Sequence, residues 1–502
     1  MSRRSLLPNK RPSLSNPSRR LALKSTLLGL SGAALASMLP AQLAFASTDK
    51  KSIRTTSSSD VPIAASHWDE TLYQQILARI QAPIFANRTF KITDFGAKTG
   101  QDCTQAIHDA ISHCHQAGGG RVIIPAGLFY SGAIHLQSRV ELHLSAQAII
   151  KFSTNPKDYP LVLTRFEGTE CMNYSPLIYA YQQHDVAVTG KGTLDGQAST
   201  SNWWAWKNTT QPKPYQQSPD SNKLIEMADN NVPVSQRVFG LGHYLRPCFI
   251  EPHSCNNVLI EGVTIKNSPM WEIHPTLSKN VTIRDVTIQS YGPNNDGCDP
   301  ESCSDVLIEG CQFNTGDDCI AIKSGKNHDG RRVHTPSQNI IIRHCKMLDG
   351  HGGIVFGSEC SGHIFNVFAH DCDMSSPHLQ RALRFKDNAM RGGHVENIYL
   401  RNSHVGFVEE AFLTIDLLYG EGSHGDFMPV IKNVNISGIT SDNSPRVMFI
   451  VSFKGAVLDQ IHFNQCEFNN TEHSDIIDVS GEITLTNVKV TPKAKVEALG
   501  HI

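Results

Sequence analysis

From Gly120 onward the chain breaks into short apolar runs separated by polar or glycine-rich turns: Arg121-Val-Ile-Ile124, Gly132-Ala-Ile-His135, Val140-Glu-Leu-His-Leu144 and Ala148-Ile-Ile150. Several lack clean alternation, as strands do when they are buried in a parallel sheet. One phrase then recurs as Asn257-Val-Leu-Ile-Glu-Gly-Val, Asn280-Val-Thr-Ile-Arg-Asp-Val, Asp305-Val-Leu-Ile-Glu-Gly-Cys and Asn339-Ile-Ile-Ile-Arg-His-Cys, with looser copies at Glu396-Asn-Ile-Tyr-Leu-Arg-Asn402 and Lys432-Asn-Val-Asn-Ile-Ser-Gly438. The strict copies start 23, 25 and 34 residues apart, about the length of a coil of three short strands with tight connections. Val and Ile would fill a narrow core. The Asn or Asp opening each phrase would sit at a turn, bond local backbone and stack on its counterpart in the next coil. The pattern predicts an all-β fold, a single-domain right-handed parallel β-helix. A leucine-rich-repeat solenoid would want leucine at fixed offsets, whereas here Val and Ile dominate and the period drifts.

Ahead of the strands the spacing becomes helical. Leu72, Ile76, Leu77 and Ile80 mark a short amphipathic helix within 68–80. Thr104 is placed to cap a helix from Gln105 to Ala117, with Ala106, Ile107, Ala110, Ile111 and Cys114 as its apolar stripe and Gly118-Gly119-Gly120 as its stop. That helix is the expected N-terminal lid, since a bare terminal coil would expose core and unpaired strand edges. Residues 47–88 read as a Ser/Thr-rich linker followed by the short helix, and 89–502 as the β-helix. Residues 1–46 resemble a twin-arginine export signal: Ser18-Arg19-Arg20-Leu21-Ala22-Leu23-Lys24, an apolar run from Ser25 to Leu39, then Ala44-Phe45-Ala46. The run falls short of the roughly 20 apolar residues of a membrane span. An exported, periplasmic or secreted chain is expected, with no membrane association once the signal is removed.

Composition narrows the function. With 40% hydrophobic and 18% charged residues in 502, the chain can bury a large core. A net charge of −2 supplies no basic field for nucleic acid, so any anion recognition must be local. Thirteen cysteines leave at least one unpaired. Cys311, Cys345, Cys372 and Cys466 sit in strand patterns and read as core, while Cys298 and Cys303 are close enough in sequence to be bridged. No paired CxxC or HExxH appears among scattered histidines, so no structural zinc and no cofactor is expected.

The candidate chemistry lies in four polar clusters: Asn294-Asn-Asp-Gly297, Gly316-Asp-Asp-Cys319, Gly350-His-Gly-Gly353 and Arg384-Phe-Lys386. Asp296 to Asp317 is 21 residues, Asp318 to His351 is 33 and His351 to Arg384 is 33, so one coil per cluster would put three carboxylates, an imidazole and two cations on one wall. That is a catalytic site for an anionic substrate. Carboxylates on coils about 4.8 Å apart cannot all ionise easily, and one should keep its proton as a general acid. Adjacent strand residues point to opposite faces, so Asp317 and Asp318 share a cleft only if Gly316 or a bulge breaks the alternation. His351, between glycines, is expected to bond the acid or a substrate hydroxyl. Arg384 and Lys386 should face the site together, with Phe385 opposite, and grip substrate carboxylates; Asn294 and Lys323 are further binding candidates. The excursion at about 197–246 carries Trp203, Trp204, Trp206 and Tyr215, and Trp203 and Trp204 are candidate substrate-stacking faces.

Together and in this order the four clusters resemble the signature motifs of glycoside hydrolase family 28, the polygalacturonases, and the likeness runs from about Phe90 to Val490, with a pectinase-like opening at Thr93-Asp-Phe-Gly-Ala97. Asn295 stands where the family most often has Thr, and Phe385 where it has Ile. The resemblance implies hydrolysis of α-1,4-galacturonosyl linkages in pectin or polygalacturonate by inversion, with Asp317 as general acid and Asp296 and Asp318 holding and deprotonating water, acid and base lying roughly 6.5–9.5 Å apart. Retention of the His and of Arg-x-Lys favours polygalacturonan. The expected partner is an acidic plant cell-wall polysaccharide or its galacturonate oligomers. The excursion would close one end of the cleft and make the enzyme exo-acting. The alternatives are a rhamnogalacturonan or xylogalacturonan hydrolase of the same family, a Ca-dependent pectate lyase of the same fold, and a non-catalytic polysaccharide-binding β-helix.

Overall fold

A computed structural model describes residues 53–56, 68–207, 216–478 and 480–494; the expected export signal and Tyr215 lie outside them. The repeated phrases form coils of three strands that stack in parallel. Among the described residues one sheet has fourteen strands and a second twelve, and the third face runs from a three-stranded sheet through isolated bridges at Ile273 and Cys298 into a six-stranded one. This is the parallel β-helix that the repeats predict, its crossovers right-handed as parallel connections are. No described helix is long and apolar enough to cross a membrane.

Register is what the recurrent phrase encodes. Val258, Val281, Val306, Ile340, Val367, Ile398 and Val434 are successive cross-strand partners, all buried. The residue before each of them, Asn257, Asn280, Asp305, Asn339, Asn366, Asn397 or Asn433, has φ between 53 and 61°, the left-handed region that Asn and Asp tolerate best. Their side chains form the predicted ladder: Asn280 Nδ2 donates to Asn257 Oδ1 at 2.6 Å, Asn366 to Asn339 at 3.1 Å, Asn397 to Asn366 at 2.9 Å and Asn433 to Asn397 at 2.7 Å. Each turn is thereby tied to the next coil at a point where the strand ladder is interrupted. Inside, all thirteen cysteines are free, buried thiols, so Cys298 and Cys303 are not bridged.

Helix α1 (Glu70–Arg79) lies across the outside of the largest sheet, with Tyr73 and Ile76 packed among Leu307, Ile341, Phe368 and Tyr399. Helix α2 (Thr104–Gln116) covers the first coil with the expected stripe buried. Its cap differs from expectation: Cys103 is the N-cap, and the Thr104 amide bonds Asp102 Oδ1 at 2.9 Å, because the Thr104 hydroxyl is turned to Asp102 and to the amide of Gly132. The stretch taken as linker contains a strand, Ile53–Thr56, which pairs in parallel with Ile483–Thr486 and covers an open sheet edge.

Two departures from the regular coil position the site. Strands Leu161–Phe166 and Thr169–Tyr174 form an antiparallel hairpin, which the sequence pattern did not suggest. Among its described residues the excursion holds two α-helices, α3 (Trp203–Lys207) and α4 (Gln217–Asp229), and strand Val238–Phe239, which joins the hairpin beside Met172 and Asn173.

Asn397→Ala is expected to cost about 2 kcal/mol, through a left-handed backbone carrying a Cβ that lacks the Asn compensation and through two lost ladder bonds. Asn397→Gly, which removes the backbone conflict alone, should cost less. Thermal midpoints of the two variants would check this ordering.

Candidate active site

Asp296, Asp317 and Asp318 lie where the chain passes from the second sheet to the third. Asp296 and the Asp317-Asp318 pair are on adjacent coils, joined by the Asp317 amide to Asn295 O at 3.3 Å and the Gly297 amide to Asp318 O at 3.0 Å. Both neighbouring aspartates reach the site because strand Gln312–Thr315 ends before Gly316 and the next begins at Ile320. The register also shifts at Phe313/Asn314, so the break in alternation that the site required is present. Gly316 is held to glycine by proximity: a Cβ there would lie 2.3 Å from Gly292 O. On the following coil a Cβ on Gly350 would meet Asp317 O at 2.5 Å, and this tight stacking brings His351 Nδ1 to 2.8 Å from Asp317 Oδ1.

Arg384 and Lys386 point to the same side, and Phe385 turns into the core to stack on Phe356 at 4.6 Å. Their partner is Asp318, with Arg384 Nη1 to Oδ1 at 3.3 Å and Lys386 Nζ to Oδ2 at 2.5 Å. They are 4% and 6% exposed, and their charges are directed to the Asp318 carboxylate. The Tyr419 ring lies 5.6 Å from the Arg384 guanidinium and 5.5 Å from Lys386 Nζ, a contact no sequence motif pointed to.

The nearest carboxylate oxygens of Asp296, Asp317 and Asp318 all lie within 4.8 Å of one another. Coil stacking sets the separation between Asp296 and the Asp317-Asp318 pair. Burial drives the Asp296 carboxyl well above the usual range, and the charges of Asp299, Asp317 and Asp318 push it the same way against Lys323. Burial also raises Asp317, but the charge and hydrogen bond of His351, with Lys386 and Arg384 beyond, outweigh it and hold Asp317 low. Asp318 is likewise held low, Lys386 and Arg384 overcoming its burial. Asp317 raises His351 in return. The raised carboxyl in the free site is therefore Asp296, whereas the sequence reading put it at Asp317. The proton beside Asp317 resides on its imidazole partner.

Other expected contacts take different roles. Lys323, a binding candidate in the sequence, is 2% exposed and lies among Asp296, Asp299 and Glu359. Trp203 is 1% exposed and packs on Tyr159, Tyr174 and Trp206, so it belongs to the core and offers no sugar platform. Trp204 donates its indole N–H to Ser268 O at 2.8 Å and presses on Gly292, where a Cβ would lie 2.2 Å from the ring; it braces the turn that carries Asp296. Asn294 Oδ1 accepts from buried Arg246 Nη2 at 2.7 Å, and Arg246 also bonds Pro269 O, Pro293 O and Gln217 Oε1. Asn295 spends its amide on Ser268 O and Met270 O and its oxygen on Gly292 N and Ser290 Oγ, so the residue at this departure from the common motif is structural.

A family model, Glycosyl hydrolases family 28, matches residues 241–427, which contain all four clusters. A probable polygalacturonase of Vitis vinifera is 30% identical over 372 residues, covering 70% of this chain and 68% of that protein. The chain belongs to glycosyl hydrolases family 28. An exo-poly-alpha-D-galacturonosidase of Dickeya chrysanthemi is 26% identical over 443 residues, covering 80% of this chain and 71% of that one. The crystal structure of a hyperthermoactive exopolygalacturonase from Thermotoga maritima superposes with a TM-score of 0.81 at 41% identity, covering 84% of this chain and 96% of that one.

In this family 28 chain the site stands at the end of a covered floor. Alternation along the third sheet turns Glu251, His274, Asp299, Glu301, Lys323, Arg384 and Lys386 outward, yet all are buried. On the N-terminal side the hairpin is the lid: Thr164 Oγ1 bonds both oxygens of Glu251 at 2.7 Å, and Arg165 Nη1 reaches Glu301 at 3.2 Å and Ser302 at 3.0 Å. Phe166 and Cys171 pack with Leu224 of α4 and with Met270 and Trp271. Hairpin and excursion together seal the floor up to Asp299, while His351 and Asp317 remain partly open to solvent.

In NMR titration His351 is expected to lose its proton above its ordinary pKa of about 6.5, and Asp317→Asn should bring it back towards that value. Because the folded value is raised, the stability drawn from the pair is full below about pH 6.5 and disappears as pH rises through the folded value. The depressed Asp317 sets the lower limit, its contribution disappearing as pH falls through its own folded pKa.

Proposed function

We propose that this enzyme hydrolyses α-1,4-galacturonosyl linkages of polygalacturonate from a chain end, by inversion. The observation that carries the proposal is the convergence of Asp296, Asp317, Asp318 and His351 beside two buried cations. Asp317 is the acid that meets the leaving oxygen, since it is the most open of the three carboxylates, its side chain 21% exposed. A bound galacturonan brings further carboxylates and expels water. Both raise Asp317 and move the shared proton onto it from His351. Water, with its two O–H groups directed to Asp318 and Asp296, attacks the anomeric carbon; the carbon–oxygen bond breaks, Asp317 protonates the leaving oxygen and Asp318 receives the proton of the water. Both oxygens of Asp318 are held by cations, which suits a standing base better than a covalent nucleophile, and Asp296 Oδ1 has no protein partner to compete with water. Hydrolysis from the end of the chain is supported by the hairpin lid, which a continuous chain would have to cross, and by the exo-acting relatives.

The order of basic, apolar and small residues over 18–46 supports export, so the proposed substrate is the galacturonan of plant cell walls met outside the cytoplasm.

Asp317→Asn is expected to lower kcat about 1000-fold with folding retained. Early products from polygalacturonate should be mono- or digalacturonate alone, formed in the presence of chelator, without ultraviolet-absorbing unsaturated ends and as the β-anomer. A ladder of mixed oligomers would refute chain-end action, an α-anomer would refute inversion, and a chelator-sensitive unsaturated product would point to the lyase.

A further inference from the structure

Beside the reaction centre lies a cation for which the hydrolytic steps have no task. Lys323 Nζ is 3.6 Å from Asp296 Oδ2, 3.4 Å from Asp299 Oδ1, 3.3 Å from Glu359 Oε2 and 3.4 Å from Gly357 O, with the Trp271 ring 4.5 Å away. Three carboxylates around one ammonium, all nearly removed from water, leave surplus negative charge that the interior does not tolerate, so at least one of them carries a proton over part of the working pH range. Which one matters, because an ionised Asp296 offers only acceptors to the attacking water and binds it more strongly, whereas a protonated one also carries a donor. A protonated Asp296 would donate and turn the water away from the anomeric carbon.

We propose that Lys323 and Asp299 are positioning residues that set how readily Asp296 gives up its proton to receive the attacking water: Lys323 favours its ionised form, and the charge of Asp299 opposes it. The inference rests on the hydrolase reading. The arrangement follows from alternation on the third sheet. Asp299, three residues after Asp296, and Lys323, five after Asp318, both turn outward on adjacent coils and meet behind the catalytic carboxylates. The charged groups around Asp296 are Asp317 and Asp318 from the next coil, Asp299 on its own coil, Lys323, and Arg246 from the excursion; Glu272, His274 and Glu359 act on it through Asp299 and Lys323. Among the strongest of these influences Lys323 favours the ionised form and the neighbouring aspartates oppose it. Asp299, raised by burial against the pull of Lys323 and His274, lies at about 7, so its opposing charge on Asp296 develops near neutrality.

The test is the pH dependence of kcat on polygalacturonate for Lys323→Met, Lys323→Arg and Asp299→Asn, each first shown to be folded by circular dichroism. The acidic limb should move up by about one pH unit or more in Lys323→Met, stay within about half a unit of wild type in Lys323→Arg, and move down in Asp299→Asn, where one opposing charge is removed. Asp299→Asn is nearly isosteric and keeps the test alive if Lys323→Met fails to fold. A merely structural role would lower kcat at every pH and leave the limb in place. An unmoved limb in folded Asp299→Asn or Lys323→Met, or a folded Asp299→Asn without measurable turnover, overturns the proposal. Full turnover by Asp317→Asn would overturn the hydrolase reading instead.

Discussion

Coil-to-coil register is the constraint on which everything else in this molecule depends. Parallel strands repeat at about 4.8 Å, and the buried Val/Ile columns with their Asn ladder allow each coil only one position over the last. A slip of one residue would turn every inward side chain outward. The same lock brings residues more than twenty positions apart into one carboxylate cluster, so the cluster and the core share a single cause.

Bringing three carboxylates that close has an electrostatic cost, and the surrounding residues offset it unevenly. Asp318 receives two cations, Asp317 receives an imidazole, and Asp296 shares one lysine with two other acids. Unequal compensation gives the three aspartates different proton affinities within one small volume. That asymmetry is what general acid–base chemistry requires, since identical environments would make them interchangeable.

The hairpin Leu161–Tyr174 alters what the fold presents. A bare parallel β-helix offers an open groove along its length, suited to the middle of a polymer. Here Thr164 and Arg165 satisfy Glu251 and Glu301, charged groups that an open floor would expose to solvent or substrate. The acidic floor has become an anchor for its own lid.

Local repetition and motif order were legible in the sequence. The apolar phrases with Asn at their openings determined the β-helix, and the Asp, His and Arg-x-Lys spacing determined which side chains would share a wall, because stacking converts sequence interval into height. Sequence also required a break at Gly316, since alternation forbids two adjacent aspartates on one face. Whether an outward side chain meets substrate, solvent or a lid was decided by tertiary structure, because that depends on insertions that obey no repeat. Lys323 and Trp203 became buried, Arg246 came to clamp the Asn294 turn, and Asp299 came to stand behind Asp296. The location of the raised carboxyl was decided there too: proton affinity in a charge cluster follows from distances and desolvation, which no spacing along the chain contains.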